Sequence, residues 1–249
     1  MKRVVVITGG TKGIGKAIVR AFWLNGDYVL IGARSEAAVT REFNGRVRFC
    51  KTDVRREADL HNLVKTALAW KKRLNIFINC AGYSQWRPIE KVDQDFLNGM
   101  LDTNLKGTLL GCKAAVSVLK RGGAIINVSS LAGKRGSANN SVYCASKFAV
   151  NGITQALAKE LGSRGIRVNA VCPVYVKTDG LIEALADKYS PAQGQDMDLF
   201  LNNFAQDNAA LKRLPSGDEV GQACLFLASQ QASAITGQCI NVDCGVMVQ

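Results

Sequence analysis

Tyr143 and Lys147 stand four positions apart in Tyr143-Cys144-Ala145-Ser146-Lys147, a spacing that puts both on one face of a helix. An isolated phenol has a pKa of about 10, too high for an efficient base near neutrality. An adjacent ammonium stabilises the phenolate and lowers that value, so the pair suits proton transfer to or from a carbonyl or alcohol oxygen. The same spacing is common on solvated helix faces and needs context before it carries weight. Other chemistries have little to stand on. The only histidine is His61, in a predicted surface helix, which removes a histidine-based triad and leaves no expected metal site. The eight cysteines form no Cys-x-x-Cys pair and most sit inside apolar runs. They are expected as reduced core thiols of a cytoplasmic protein rather than as disulfides.

The elements that would position this pair alternate along the chain. Short β-rich runs at Val4–Thr8, Tyr28–Ile31, Val47–Cys50, Ile76–Asn79, Ala124–Val128, Arg167–Val171 and Cys239–Val242 are separated by helical stretches near 14–25, 56–70, 93–120, 142–162 and 217–229. Several runs are continuously apolar, as strands covered on both faces are. Strand–helix alternation of this kind implies parallel strands joined by crossover helices. The expected fold is α/β, a single doubly wound Rossmann-type domain over 1–249 whose mostly parallel seven-stranded sheet is flanked by helices on both faces. The irregular stretch is 173–216, with polar and weakly helical segments, and its central part, about 179–213, is expected to cover a substrate. No run approaches the roughly 18 apolar residues of a membrane span. The apolar run after Lys2-Arg3 ends in glycines without a cleavage site, so it reads as a first strand rather than a signal peptide. The formal charge is +12, but the 32 basic residues are dispersed and their longest run is Lys71-Lys72-Arg73. Nucleic-acid binding is therefore not expected; attraction of an anionic cofactor or substrate is the better use of the charge.

The first strand runs into Thr8-Gly9-Gly10-Thr11-Lys12-Gly13-Ile14-Gly15 and then a helix. Glycines there allow a tight turn and close approach of backbone N–H groups to a pyrophosphate at the helix N-terminus. Gly9, Thr11, Lys12, Gly13, Ile14 and Gly15 are the expected loop contacts of a dinucleotide. Enzymes selective for NAD place a carboxylate at the end of the second strand. This chain has Gly32-Ala33-Arg34-Ser35 instead. Without the acid a 2′-phosphate is not repelled, and Arg34 can meet it with a forked pair of hydrogen bonds, with Ser35 beside it and Lys12 facing. The expected cofactor is NADP(H).

The glycine spacing G-x-x-x-G-x-G with its leading threonine resembles the short-chain dehydrogenase/reductase family, and the likeness continues down the chain. It implies that Ser130, thirteen residues before Tyr143, shares the substrate oxygen with the tyrosine; Ser129 has the wrong offset. It also implies that Asn104, in Asp102-Thr103-Asn104-Leu105-Lys106-Gly107, completes a catalytic tetrad of Asn104, Ser130, Tyr143 and Lys147 by holding a water beside the lysine. Tyr143 and Lys147 would also touch the cofactor. Asp53-Val54 resembles the family's adenine pocket, and Asn79-Cys80-Ala81-Gly82 its N-N-A-G, with Cys80 for the second asparagine; Asn79, Ala81 and Gly82 are the cofactor contacts implied there. Pro173-Val174-Tyr175-Val176-Lys177-Thr178 resembles P-G-x-[IV]-x-T, with Val174 for glycine. Pro173 and Val176 would then line the nicotinamide, and Thr178 a phosphate. Ile240-Asn241-Val242-Asp243-Cys244-Gly245 resembles the family's last strand, I-x-V-D-G-G, with Cys244 for a glycine. A homotetramer is a further implication of the family.

The substrate is less defined. Ser130 and Tyr143 would be joined in the pocket by Gln85, Trp86, Arg135 and Tyr175, with Ser84, Lys134 and Asn139 nearby. That set is compatible with a sugar, a polyol or an acidic ketone. Arg121 and Arg164 stand where 3-oxoacyl-carrier-protein reductases of the family have carrier-docking cations. The leading expectation is reduction of a 3-oxoacyl thioester linked to a carrier protein or to CoA, ahead of a sugar, polyol or secondary-metabolite ketone. A cofactor-binding regulatory protein is the non-enzyme alternative.

Overall fold

The computed structural model describes residues 2–36, 39–43 and 45–248. Its chain order is β1 (Val4–Thr8), α1 (Gly13–Leu24), β2 (Tyr28–Ala33), α2 (Val39–Glu42), β3 (Val47–Lys51), α3 (Glu57–Lys71), β4 (Ile76–Asn79), α4 (Gln94–Leu101), α5 (Gly107–Val116), β5 (Ala124–Val128), α6 (Ser141–Leu161), β6 (Arg167–Pro173), α7 (Asp179–Leu185), α8 (Met197–Asn208), α9 (Gly217–Leu227) and β7 (Cys239–Val242). The seven strands form one sheet in the order β3-β2-β1-β4-β5-β6-β7, and every pairing is parallel.

The continuously apolar runs β1 and β5 are buried at every position, because helices cover both faces of the sheet. One face packs Ile18 and Phe22 of α1 with Val220, Cys224 and Leu227 of α9. The other packs Leu60 and Leu63 of α3, Cys112 and Ala115 of α5 and Ala158 and Leu161 of α6. The order reverses direction between β1 and β4, so their connections leave on opposite faces and open a crevice at the carboxyl ends of the strands.

Two elements depart from the sequence-based expectation. The helix expected over 93–120 is broken into α4 and α5 by a π turn at Asp102–Lys106. The stretch expected to be irregular holds α7 and α8, capped by the side chains of Thr178 and Asp196 on the backbone of Leu181 and Leu199. Their apolar residues close a separate small core, in which Leu185 and Leu201 bury Trp86. Among the described residues no helix is long and apolar enough to cross a membrane.

Candidate active site

The glycine loop follows β1 at the crevice. Gly9 has φ +70°, and a Cβ there would lie 2.8 Å from the Ala81 backbone, so only glycine lets the two loops meet this closely. Thr8 holds the arrangement from below: its hydroxyl accepts from the backbone N–H of Cys80 at 3.1 Å and of Ala81 at 3.2 Å. Gly13 opens α1 and faces the Thr178 side chain, 3.5 Å from a Cβ built at Gly13. Lys12, Arg34 and Ser35 are exposed along the same rim, while Thr11 and Ile14 are half-buried. The cradle between the Gly9 and Ala81 loops, with N–H groups at the start of α1 and cations on its rim, fits the pyrophosphate and phosphates of a dinucleotide.

Other expected cofactor contacts are placed in differing ways. Both oxygens of Asp53 are gripped by Arg55, with Nη2 at 2.6 Å from Oδ2, and this hydrogen-bonded guanidinium holds the carboxyl below its ordinary range. Val54 is buried against Gly107. Asn79 is buried as well, and its amide donates to Asn127 Oδ1 at 2.9 Å and Cys112 Sγ at 3.3 Å, so its side chain braces β4 against β5. Pro173 ends β6, and Val176 is buried in the core on the α1 side of the sheet. Val174 lies outside the left-handed region, so valine costs nothing where the family has glycine. Cys244, the other replacement, does take that conformation, with φ 55°; the strain is held by Leu211 N–H bonding to its carbonyl at 3.0 Å.

The four expected catalytic residues converge beside the cradle. Ser130 follows β5, and its hydroxyl accepts from Ala132 N–H at 3.1 Å. Tyr143 and Lys147 lie on the first two turns of α6. Lys147 is buried and donates to the Val128 carbonyl at 2.9 Å, with Nζ 5.7 Å from the Tyr143 ring centroid. Asn104 is buried in the π turn, a geometry often found at functional sites. Its Oδ1 accepts from Tyr83 N–H at 3.0 Å, and its Nδ2 donates to the Tyr83 carbonyl at 2.8 Å and to Ser146 Oγ at 3.3 Å. A Cβ at Gly82 would stand 3.0 Å from Asn104 Oδ1 and 3.7 Å from Lys147 Nζ, so the absent side chain leaves the space between them open.

The charge states differ from the simple pairing argument. Burial pushes the Tyr143 phenol up to about 12, offset in part by its hydrogen bond with Ser130. Burial pushes Lys147 down to about 8. The expected lowering of Tyr143 by the lysine is not what this geometry gives: desolvation raises the phenol, and the lowering influence on it is the Ser130 hydrogen bond. The phenol is therefore protonated at neutral pH. Burial likewise raises the thiol of Cys80, which lies in the field of Lys147, to about 12, so it is an unreactive neutral group.

Around the pocket, Tyr175 stacks edge-on against Phe204, with centroids 4.8 Å apart, and senses both Tyr143 and Arg135 electrostatically. Gln85 is half-buried and Arg135 exposed. Trp86 is 3% exposed, so it supports the cover formed by α7 and α8 from within. Several contributors were not anticipated. Ser129, rejected as the catalytic serine, bonds the Lys147 carbonyl at 3.2 Å and ties β5 to α6. Asn127 and Thr154 extend the brace begun by Asn79. Arg121 and Arg164 sit before β5 and β6, at the opposite end of those strands from Tyr143, and bond backbone carbonyls of Ser163 and Val116.

A family model described as enoyl-(acyl carrier protein) reductase matches residues 9–247. The chain is a short-chain dehydrogenase/reductase. As a member of this oxidoreductase family, which uses nicotinamide cofactors, it is 38% identical to short-chain dehydrogenase reductase ATA1 of Arabidopsis thaliana, over 98% of this chain and 92% of that one. It is 31% identical to the 3-oxoacyl-[acyl-carrier-protein] reductase FabG of Chlamydia muridarum, over 99% and 98% of the two chains. The solved structure of a single-substitution variant of the actinorhodin polyketide ketoreductase with NADPH superposes with a TM-score of 0.90 at 28% identity, covering 98% of this chain and 97% of that one.

Proposed function

We propose that this protein is an NADP(H)-dependent reductase that interconverts a ketone and a secondary alcohol, with a 3-oxoacyl thioester as the preferred class of ketone. The observation that carries the reading is the convergence of Ser130, Tyr143, Lys147 and Asn104 beside a dinucleotide cradle whose rim bears Arg34 and Lys12 but no carboxylate at position 33. When bound, NADP(H) would supply or accept the hydride. Ser130 and Tyr143 bind the ketone oxygen between them and stabilise the negative charge that grows on it. Tyr143, neutral at pH 7, gives its proton to that oxygen. Lys147 then holds a positive charge near the developing phenolate, and the open space at Gly82 gives solvent protons a way back toward the lysine. Arg34, with Ser35 and Lys12, receives the 2′-phosphate. The relatives named as 3-oxoacyl-carrier-protein reductases and as a polyketide ketoreductase support the thioester class. The same reading carries a homotetrameric, cytoplasmic enzyme whose 179–213 segment covers the substrate.

The test is Tyr143→Phe. The variant keeps NADPH binding, read by fluorescence titration, and loses about 10²–10⁴-fold in turnover of acetoacetyl thioesters. Full activity in that variant sinks the mechanism. A crotonyl thioester in the same assays separates ketone reduction from reduction of a carbon–carbon double bond.

A further inference from the structure

A second basic surface lies beside the catalytic cleft. A depression of about 530 Å³ is walled by Arg87 and Lys91 on one side and by Asp187, Lys188 and Tyr189 on the other. The first wall is the loop after β4, with a 3-10 turn at Ile89–Lys91; the second is the tip of the cover, just past α7. Asn139 fastens the walls together. Its carbonyl accepts from Arg87 N–H at 2.6 Å, and its Nδ2 donates to the Tyr189 carbonyl at 3.3 Å. It does so with φ 56°, a left-handed conformation that asparagine adopts more readily than other side chains. Asn139 precedes Tyr143 by four residues, and Trp86, next to Arg87, is buried under the cover with Tyr175. The depression therefore lies between segments that lead directly to Tyr143 and to the buried Trp86.

Its charges are unbalanced. Arg87 is fixed as a wall by Asp93 at 2.9 Å and by the Phe96 ring beneath it. Asp187 turns one oxygen to the Tyr189 N–H at 2.8 Å. Lys91 and Lys188 have no ion-pair partner among the described residues. Lys188 Nζ rests 5.0 Å from the Tyr189 ring centroid and Asp187 is the one carboxylate of the lining, so the two ammonium groups without an ion pair leave a net positive field that an anionic group relieves.

We propose that this depression binds a phosphate on the arm of an extended substrate whose ketone lies at Tyr143. The inference rests on the thioester reading above, because acyl groups carried as thioesters of CoA or of a carrier protein hang on a pantetheine arm that bears a phosphate. Lys91 and Lys188 contact the phosphate, and the arm passes Trp86 and Asn139. The site lies on the cleft side of the sheet, unlike Arg121 and Arg164.

NADPH oxidation is measured with acetoacetyl thioesters of N-acetylcysteamine, which has no phosphate, of 4′-phosphopantetheine and of CoA. The readout is the ratio of kcat/KM for a phosphate-bearing thioester to that for the phosphate-free one. In Lys91→Gln/Lys188→Gln this ratio falls about tenfold through KM, as the loss of two exposed charge contacts implies, and in the wild type it falls with added salt. An equal loss for phosphopantetheine and CoA places the recognised phosphate on the arm, as proposed; a loss confined to CoA places it on the nucleotide end and overturns the proposal. A ratio unchanged by the double substitution overturns the proposal. If no thioester is reduced, the thioester reading fails separately. Calorimetric titration of 4′-phosphopantetheine then decides the site, binding weakened by the double substitution supporting it and absence of binding to the wild type overturning it.

Discussion

Tyr143 and Lys147 are driven in opposite directions by one cause, since desolvation penalises the charged form of each group. With the phenol near 12 and the ammonium near 8, the neutral-pH site holds a protonated tyrosine beside a mostly charged lysine. A lysine is charged below its pKa and neutral above it. Ketone reduction should therefore be level in kcat/KM below about pH 8 and decline above it as Lys147 loses its proton, while Tyr143 stays protonated throughout. A pH–rate profile of NADPH oxidation that stays level to about pH 10, the ordinary lysine range, overturns the depressed lysine as the group that limits the rate. At the other end of the cradle, the proposed preference for NADP(H) rests on Arg34 and the missing carboxylate at Ala33. Ala33→Asp with Arg34→Ala should lower the NADPH-to-NADH ratio of kcat/KM by about tenfold or more, since a hydrogen bond to a charged group contributes about 1.5–3 kcal/mol. Steady-state kinetics with both cofactors reads it. These residue types were legible because their chemistry is local: an acid is present or absent at the end of β2, and no packing alters that. Their pKa values were not legible, because desolvation is set by groups far away in sequence.

At the scale of elements, the strands were readable to within a residue or two. The run expected as Tyr28–Ile31 is Tyr28–Ala33, and Val4–Thr8, Ile76–Asn79 and Ala124–Val128 are as expected. Doubly covered strands announce themselves as unbroken apolar runs. The π turn at Asp102–Lys106 did not, because one extra residue per turn hardly disturbs an apolar pattern already broken by polar side chains. Its reason is tertiary: Asn104 must reach Tyr83 and Ser146 at once. Helices α7 and α8 were legible only as weakly helical segments, because their apolar residues serve a small core of their own rather than the sheet. That separation has a consequence. Leu185→Ala removes a fully buried side chain of this core, a change that costs about 2–5 kcal/mol of packing where it occurs. The expected outcome is a raised KM for the ketone with little change in the Kd of NADPH. Parallel losses of both instead place the cover and the sheet in one cooperative unit.

For the whole molecule, the alternation of strands and helices, the glycine loop and the ordered motifs by themselves determined an α/β sheet of the short-chain dehydrogenase/reductase kind, because periodicity and motif spacing are properties of the chain. The net charge of +12 suggested an anionic partner without locating it. Only the tertiary structure decided where those charges stand. Arg55 is paired with Asp53, Arg121 and Arg164 bond backbone carbonyls at the far end of the sheet, and Lys91 and Lys188 face a depression next to the cleft. It also decided that Asn79 braces the sheet and that Trp86 supports the cover from inside. Sequence names the groups available for chemistry; which of them are desolvated, paired or left facing a cavity depends on contacts between segments distant in the chain, and only folding brings those together.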